Sequence, residues 1–381
     1  MELDLTSDQK AFAETTRRFL GDSCPTSVLR EARHDPDGFN RAYWRQGAEL
    51  GWTTLLVSEK DGGGSISGRG VNDLALVAFE FGRVAAPGPL TATNIVAGAV
   101  SRSGTEEQKA DILDGLLSGE TIASWAHAEP RPFDRLDQVN LQATRNGDGY
   151  VLNGSKAPVE SASQSDLLLV SAKDGDGLTQ FLVPANTAGV AVTPMNTVDL
   201  TKRFGRVTFD QVALPASAVL GEPGRAAADI ERQLQLAVVI QAAEMVGAMD
   251  RALEITHEWL FNRYSFGRPL ASYQELKHRF VDMRAWLEAS NAIADAAAAH
   301  VQDESGRAAE YVSAAKSYIG VYAPEALHDC VQMHGGIGVT FEHDLHLFLR
   351  RVTLGAHLYG TVADHRERLT SILESQESIN V

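Results

Sequence analysis

A single carboxylate interrupts an apolar stretch in the second half of the chain. Residues 233–249, QLQLAVVIQAAEMVGAM, carry one charged side chain, that of Glu244. An ionised carboxylate that leaves water without a partner is strongly destabilising, so it must be paired or protonated. Two interpretations are open. Glu244 is either a structural residue paired with a base such as Arg251 or Arg263, or it is kept for acid–base chemistry, because apolar surroundings make a carboxylate a stronger base.

Two other stretches combine charged, aromatic, amide and glycine residues in dense motifs. The first is NRYSFGRPLASYQELKHRFVDM at 262–283, and the second is VQMHGGIGVTFEHDLHLFLRR at 331–351. The second contains His334, His343 and His346, whose pattern does not mark them as metal ligands. We expect these histidines to be packing or polar-surface residues, and we predict no metal site.

The composition is that of an ordinary globular protein and limits its partners. The 381 residues carry a net charge of −16, which disfavours binding to the phosphate backbone of nucleic acids. The two cysteines, Cys24 and Cys330, fit a reducing cytoplasm. We predict a cytoplasmic protein without a nucleic-acid partner, a signal peptide or a membrane span, because the N-terminus is polar and no uninterrupted apolar run reaches about 18 residues.

The hydrophobic pattern predicts three successive regions that must bring these motifs together. Residues 1–117 show helical spacing, with Thr6 as a candidate N-cap and a further helix over 71–86. Residues 118–222 contain short β-branched runs separated by asparagine–glycine and aspartate–glycine turns, which predicts an antiparallel β-barrel or sandwich. Residues 223–381 return to long helical periodicity. The predicted fold is therefore a multidomain α+β protein.

A glycine-rich stretch lies inside the N-terminal region. Its sequence, EKDGGGSISGRG at 59–70, lacks the spacing and the lysine of a phosphate-binding P-loop. We interpret it as a flexible connector between two helices.

Together with the order helical, β, helical, the two motifs closely resemble the acyl-CoA dehydrogenase family, and the resemblance covers the whole chain. It implies an N-terminal helical domain, a middle β domain and a C-terminal four-helix bundle. It also implies FAD at the subunit interfaces of a tetramer, an acyl-CoA thioester as substrate and electron-transferring flavoprotein as a candidate acceptor. In that family a carboxylate removes the α-proton while the β-hydrogen leaves as hydride to the flavin.

The resemblance assigns cofactor contacts that these residue types can make. Arg263 offers a fixed fork of donors to a pyrophosphate, Phe266 an aromatic face to adenine, and Gln274 an amide to adenosine. The family donates such residues across an interface, to FAD that a neighbouring subunit mainly holds. Glycines there let backbone N–H groups approach the cofactor. The remaining assigned positions are Gln332, Gly335, Gly336, Gly338 and, in HLYGT at 357–361, Thr361.

The family's catalytic glutamate is missing from both of its usual places. Tyr359 stands at its position in HLYGT, and Ala237, 26 residues before Arg263, stands at the alternative position. A phenol, whose ordinary pKa is about 10, is a poor base at neutral pH. Glu244 lies two helical turns after Ala237 on the same face, so we predict it as the catalytic base. A base displaced in this way favours a bulky acyl group, such as a branched, ring-bearing or steroid chain.

The side of the site that holds the flavin ring in the family is altered too. The stretch AHAEPRPFD at 126–134 keeps Glu129 but has Ala128 in place of the family's threonine. Further along, Pro158 replaces the family's tryptophan, for which the nearby Trp125 offers partial compensation. The sequence thus predicts an intact adenine side and a degraded ring side.

Three functional hypotheses follow from these residues. The first is FAD-dependent α,β-dehydrogenation of an acyl-CoA, by this chain alone or as one subunit of a heteromeric enzyme. The second is a non-catalytic partner that donates adenine-side contacts to a homologue, which supplies the ring site and the base. The third is an acyl-CoA oxidase, which differs in the rapid reaction of its reduced flavin with oxygen.

Overall fold

The helical, β and helical regions follow one another along the chain in the predicted order. The computed structural model describes residues 5–130, 139–175 and 177–379, with the backbone alone for 376–379. The N-terminal helices are α1 (Ser7–Ser23), α2 (Thr26–Glu31), α3 (Arg41–Glu49), α4 (Gly70–Val84), α5 (Leu90–Ser103) and α6 (Glu106–Leu117).

Two local predictions in this region are confirmed. Thr6 caps α1 reciprocally: its hydroxyl accepts from the backbone N–H of Gln9, and the Gln9 side chain accepts from the backbone N–H of Thr6. The helix predicted over 71–86 is α4, which ends where Ala85 adopts a left-handed conformation.

The middle region forms one mixed sheet. Its strands are β1 (Ala123–Ala126), β2 (Gln142–Asn146), β3 (Gly149–Glu160), β4 (Leu167–Asp174), β5 (Gly177–Pro184), β6 (Val190–Met195), β7 (Phe204–Leu214) and β8 (Val219–Leu220). The order across the sheet is β6-β7-β3-β2-β4-β5-β8, and β1 pairs with β4 off this path. The pairings of β1 and β2 with β4 are parallel, whereas the others are antiparallel.

The described strands do not close into a barrel. The edge strands β6 and β8 lie at opposite ends of the order, and none of the described pairings joins them. A barrel requires a continuous ring of strand pairing. The β character of the region is therefore observed, but the barrel form of the prediction is not confirmed.

The C-terminal region contains four long helices and one short one, connected at one point by a small hairpin. They are α7 (Ala227–Asn262), α8 (Gln274–Gln302), α9 (Ala308–His334), α10 (Leu345–Gly355) and α11 (Val362–Ile379), and the hairpin strands are β9 (Tyr264–Ser265) and β10 (Arg268–Pro269). Helix α9 lies against α7, α8 and α11, and α7 also contacts α8.

The two helical regions share one hydrophobic core. Buried side chains of the N-terminal helices, such as Trp44 and Phe81, belong to the same cluster as Leu236 of α7 and Leu287 of α8. The sheet has a second cluster of its own. The division into domains at 117/118 and 222/223 stays a prediction.

Helices α4 and α7 cross in close contact, and this crossing fixes the position of Glu244. A Cβ on Gly82 of α4 would lie 1.9 Å from the carbonyl oxygen of Glu244, and a Cβ on Gly247 of α7 would lie 1.9 Å from the carbonyl oxygen of Phe79. Any larger residue at either position would push the helices apart. Gly247 therefore does not break α7; it permits the crossing.

Replacement of Gly247 by alanine should destabilise the protein. Alanine favours a helix over glycine by about 1 kcal/mol, but overpacking at a backbone contact costs about 1–3 kcal/mol, so we expect a net loss. Urea unfolding of Gly247→Ala, compared with the unsubstituted protein, measures the change.

The matched control is Gly21→Ala in α1, where a Cβ would meet nothing within 4 Å. Gly21→Ala should raise the urea midpoint by its helix propensity alone. Equal midpoint increases for the two variants would contradict the proposed crossing constraint.

Candidate active site

Glu244 is buried and bound by two cations. Nη1 of Arg351, in α10, donates to its Oε1 at 2.7 Å, and the ammonium of Lys202 lies 3.3 Å from the same oxygen. The two arginines considered from the sequence have other contacts. Arg251 donates to the carboxylate of a residue in its own helix, and Arg263 lies over an aromatic ring. Glu244 is therefore a paired carboxylate, as the first interpretation expected. Its partners are Arg351 and Lys202, which are distant from it in the sequence.

All three guanidinium nitrogens of Arg351 donate hydrogen bonds within the protein. Its Nε donates to Asp199, and its Nη2 donates to the backbone oxygens of Ala85 and Ala86 and to the hydroxyl of Thr201. Burial disfavours its charge, but the carboxylates of Asp199 and Glu244 outweigh this and raise its pKa above the ordinary value. The guanidinium is a fixed cation.

A second ion pair continues the cluster toward Tyr359. Lys202 donates to Glu160 at 2.8 Å, and Tyr359 borders the same small space as both of them. Burial raises the pKa of Tyr359 well above its usual range, and the carboxylates of Glu160 and Glu244 raise it further. The residue at the position of the family's base therefore stays a neutral donor at physiological pH.

We call this set the ion cluster: Glu160, Asp199, Lys202, Glu244 and Arg351. Its three carboxylates face two cations, and every member is at most 6% exposed. The space that the cluster encloses with Tyr359 and the neighbouring helices is about 10 Å³, which is room for about one water molecule. The place where the resemblance expects an acyl group is filled by protein side chains.

A buried lysine fixes the segment that leads to Tyr359. Nζ of Lys316, in α9, donates to the side chain of Gln241 at 2.6 Å and to the backbone oxygens of Gly355 and Leu358 at 2.5 and 2.6 Å. Burial lowers its pKa to about 7. Three carbonyl acceptors require all three ammonium protons, so this geometry is that of the charged form. Lys316 thereby ties the end of α10 to α7 and α9.

The sheet side of the site is also occupied. The indole of Trp125 stacks on the imidazole of His127 at 4.9 Å between centroids, and the ring of Tyr359 lies 6.0 Å from that indole. Burial lowers the pKa of His127 to about 3, so the imidazole is neutral. Trp125 therefore lies beside both His127 and Tyr359. Its partial compensation for the tryptophan that Pro158 replaces stays a prediction.

Glu129, which the family motif retains, is bound within the sheet region. The ammonium of Lys156 donates to it at 2.7 Å, and the backbone N–H groups of Asn140 and Leu141 donate to the same oxygen. Burial lowers the pKa of Lys156 to about 8. The remainder of the motif, from residue 131 onward, lies outside the described residues.

The residues predicted for the adenine side lie on the surface. Phe266, at the turn of the β9–β10 hairpin, is 96% exposed, and Arg263, Gln274 and Gln332 are also exposed. An exposed phenylalanine gains no stabilisation from burial of its ring. Contacts within the chain therefore do not explain why an aromatic residue stands at this position. The exposure is what a residue offered to another subunit requires.

Trp259 joins the two adenine-side motifs. Its indole N–H donates to the backbone oxygen of Met333 at 3.2 Å, and its ring stacks on His334 at 5.1 Å between centroids. The guanidinium of Arg263 lies 5.7 Å from the same ring. The end of α7 and the end of α9 are therefore held together behind the exposed residues.

Two glycines of the second motif have no steric role inside the chain. A Cβ on Gly335 or Gly336 would meet nothing within 4 Å among the described atoms, although Gly335 has a φ of +63°. Gly338 differs, because a Cβ there would lie 2.5 Å from the backbone oxygen of Val331. Thr361 also has an internal role, since its hydroxyl and N–H bond to Asp364 at the start of α11.

The sequence could not reveal the partners of Glu244. Lys202 and Arg351 stand in the stretches TKRFG and FLRR, where a neighbouring arginine is equally placed to be the buried one. Among the described residues, no group of three or more histidine, cysteine, aspartate or glutamate side chains has the geometry of a metal site, and no helix is long and apolar enough to span a membrane.

Family models of acyl-CoA dehydrogenases match nearly the whole chain. The model of the N-terminal domain matches residues 6–120, that of the middle domain 128–212, and that of the C-terminal domain 200–373.

Individual relatives match over most of their lengths. The chain is 27% identical over 365 residues to acyl-CoA dehydrogenase IpdE2 of Mycobacterium tuberculosis, which is 96% of each protein. It is 29% identical over 325 residues to cyclohex-1-ene-1-carbonyl-CoA dehydrogenase of Geobacter metallireducens, which is 82% of this chain and 84% of the relative. Among solved structures, a variant of the steroid ACAD Tcur3481-Tcur3483 is similar with a TM-score of 0.88 and 27% identity over 97% of this chain and 98% of that one.

The three matched domains together span residues 6–120 and 128–373, and they include the adenine-side motifs. The chain belongs to the acyl-CoA dehydrogenase family, which confirms the predicted class of a flavoprotein oxidoreductase acting on acyl-CoA.

Proposed function

We propose that this chain is one subunit of a heteromeric, FAD-dependent acyl-CoA dehydrogenase and that it does not carry the reacting site itself. It would donate adenine-side contacts to FAD whose ring lies against a homologous subunit, and that subunit would supply the base. The observation that carries this proposal is the ion cluster, because it fills the acyl position with charges that already have partners.

Among the described residues that line the small space at Glu244, none is placed to abstract a proton without rearrangement. Burial raises the pKa of Tyr359 well above its usual range, so the phenol stays neutral and is a poor acceptor for a proton. Glu244 would have to leave both Arg351 and Lys202 before it could approach a substrate proton within about 3 Å. Breaking a buried ion pair on one side typically costs about 3–5 kcal/mol.

The two sides of the cofactor site fit FAD differently. FAD, when bound, supplies the hydride acceptor of the reaction. On the ring side, Trp125 stacks on His127 and lies beside Tyr359, and Ala128 and Pro158 stand where the family has a threonine and a tryptophan. On the adenine side, the open surroundings of Gly335 and Gly336 leave room for a group from outside the chain. Arg263 and Phe266 are exposed beside them and would hold a pyrophosphate and an adenine.

The substrate proposed for the assembled enzyme is an acyl-CoA with a bulky, branched or ring-bearing acyl chain. The relative from Geobacter metallireducens is named for a ring-bearing acyl-CoA, and the neighbour at 27% identity is a steroid ACAD named with two components. The proposal also includes assembly as a tetramer and a C-terminal four-helix bundle in each chain. Electron-transferring flavoprotein would be the electron acceptor, and the location would be the cytoplasm. An oxidase would differ in the oxygen reactivity of its reduced flavin.

The competing proposal is that Glu244 is the base of an autonomous homo-oligomeric enzyme. Glu244 lies in an apolar helix, two turns after Ala237, which stands at the family's alternative base position, and this favours the competing proposal. This version needs the ion cluster to rearrange when substrate enters. The predictions below separate the two.

The chain purified alone should show little or no flavin absorbance. The ring side lacks the family's threonine and tryptophan, which are Ala128 and Pro158 here, and the adenine-side contacts by themselves are exposed. Co-expression with a homologue that carries glutamate at the position of Tyr359 should restore FAD. The visible spectrum and the mass of each assembly measure this, and stoichiometric FAD on a homo-oligomer would refute the proposal.

Arg263→Ala should weaken FAD binding by the assembled complex about tenfold to a hundredfold, because a hydrogen bond to a charged group is worth about 1.5–3 kcal/mol. Flavin release during dialysis measures the effect. The control is Arg251→Ala, which removes the same charge from α7, the helix that ends directly before Arg263; Arg251 contacts Glu254. If both variants retained flavin equally, the adenine-side assignment would fail.

Glu244→Gln should leave turnover of the complex and stability nearly unchanged. The amide oxygen can still accept from Arg351, and the cluster then has one carboxylate for each cation. Arg351→Met leaves three carboxylates facing one lysine and should cost about 3–5 kcal/mol of unfolding free energy. Denaturant unfolding and steady-state rates measure both, and loss of turnover in a folded Glu244→Gln complex would favour the autonomous enzyme.

A further inference from the structure

A second cavity lies along α5 and α7, away from the ion cluster. Its volume is about 510 Å³, within the range of about 300–1,000 Å³ that small-molecule sites occupy. The glycine-rich stretch 59–70 and the residues just before it form one wall, and the ends of α5 and α8 with the first turns of α7 form the others. The stretch interpreted from sequence as a connector therefore borders a cavity.

The wall at 55–71 is firmly attached, so the cavity is a built feature. The hydroxyls of Ser58 and Ser101 both donate to Asp61 at 2.7 Å, and Ser101 also accepts from the backbone N–H of Ser58. A Cβ on Gly98 would lie 3.1 Å from Leu56, and one on Gly70 would lie 1.9 Å from a backbone oxygen. Gly98 lets the segment at Leu56 pack directly on α5, and Gly70 lets the start of α4 pack against the backbone at Leu55.

The floor of the cavity is apolar. Leu55, Val71, Ile95, Ala99 and Leu236 line it, and each of them is nearly fully buried. Contact with such side chains stabilises a ligand by the apolar area that leaves water. The floor would therefore hold a hydrocarbon body.

Charged side chains also line the cavity. Three of the five charged lining residues are basic, Lys60, Arg102 and Arg232, and the acidic ones are Glu59 and Asp229. Glu304, which is outside the lining, pairs with both arginines. The cavity therefore presents arginine donors that a small anion could share with Glu304.

Arg232 is a weakly paired cation of this lining. Its Nη1 lies 3.4 Å from Glu304 and donates to the backbone oxygen of Val301 at 3.3 Å. Glu304 is shared, because Arg102 binds both of its oxygens at 2.7 and 3.1 Å. Burial lowers the pKa of Arg232, and the nearby carboxylates do not fully offset this. A carboxylate from a ligand would improve its pairing.

The cavity is distinct from the site already described. It reaches Leu236 on α7 and Ile95 on α5, whereas the ion cluster is bordered by Gln241 and Thr91 on the same helices. Buried Ala237 and Ile240 lie between them on α7.

We propose that this cavity binds a small amphipathic carboxylic acid, with its hydrocarbon body on Ile95 and Leu236 and its carboxylate on Arg232. No chemical step is involved, and the inference does not depend on the proposed role in a heteromeric dehydrogenase. A ligand bound there touches α4, α5, α7 and α8, and so would stabilise the packing of the two helical regions on each other.

Isothermal titration of the full chain, in its purified assembly, with decanoate tests this site. One saturable site per chain is expected, and Arg232→Gln should weaken its affinity roughly 10- to 100-fold because a charge-assisted hydrogen bond is lost. Ala99→Leu, which places a larger side chain in the floor, should abolish binding. Uncharged decan-1-ol should bind the unsubstituted protein and Arg232→Gln alike.

The matched control is Arg251→Gln, which makes the same charge change on the same helix outside the cavity lining. Thermal melting of each variant without ligand verifies that it is folded. Absence of a saturable site, or equal weakening by Arg232→Gln and Arg251→Gln, would overturn the inference. Flavin content is measured separately, so a failure here is distinct from a failure of the proposed function.

Discussion

The guanidinium of Arg351 holds the three regions of the chain together. From α10 it binds Glu244 of the C-terminal region, Asp199 and Thr201 of the middle region, and the backbone oxygens of Ala85 and Ala86 at the end of α4. Arginine suits this position because its planar fork offers five donors in fixed directions. Once such a group is buried, each of its partners is needed, since an unpaired charge there is strongly destabilising. The positions of α4, α7 and α10 are thereby fixed relative to the sheet.

The burial and full pairing of Arg351 also explain why the centre of the molecule can hold the three regions together but is poorly suited to catalysis. A reacting site needs a group that can change its protonation state and a cavity that can admit substrate. The ion cluster offers neither, because its cations stay charged and its carboxylates are occupied. The residues that remain available are those at the ends of α7 and α9, which Trp259 and Met333 hold behind an exposed surface. Under the proposed function, such a chain would contribute to a flavin site from its surface.

Local features of the fold could be predicted from the sequence, and non-local ones could not. The Thr6 cap and α4 depend on neighbouring residues, so their patterns were sufficient. The isolation of Glu244 in an apolar helix correctly indicated that it needs a partner, but Arg351 lies 107 residues away. Its neighbour Arg350 has the same chemistry and instead donates to a backbone oxygen at the surface. Only the packing of α10 decides which arginine is buried. Closure of the sheet likewise depends on pairing between distant edge strands, which short alternating runs do not specify.

The two regions along α5 and α7 differ in the cost of admitting a ligand. Entry into the ion cluster requires the Glu244–Arg351 pair to separate, and about 3–5 kcal/mol for breaking a buried pair corresponds to a loss of roughly two to four orders of magnitude in affinity. The cavity near Arg232 needs no such rearrangement, because its volume is already open and its floor is already apolar. A ligand there is resisted mainly by its own loss of freedom. Two adjacent segments of the same helix pair therefore differ: at Glu244 the space is occupied by paired side chains, whereas at Leu236 a volume of about 510 Å³ is open.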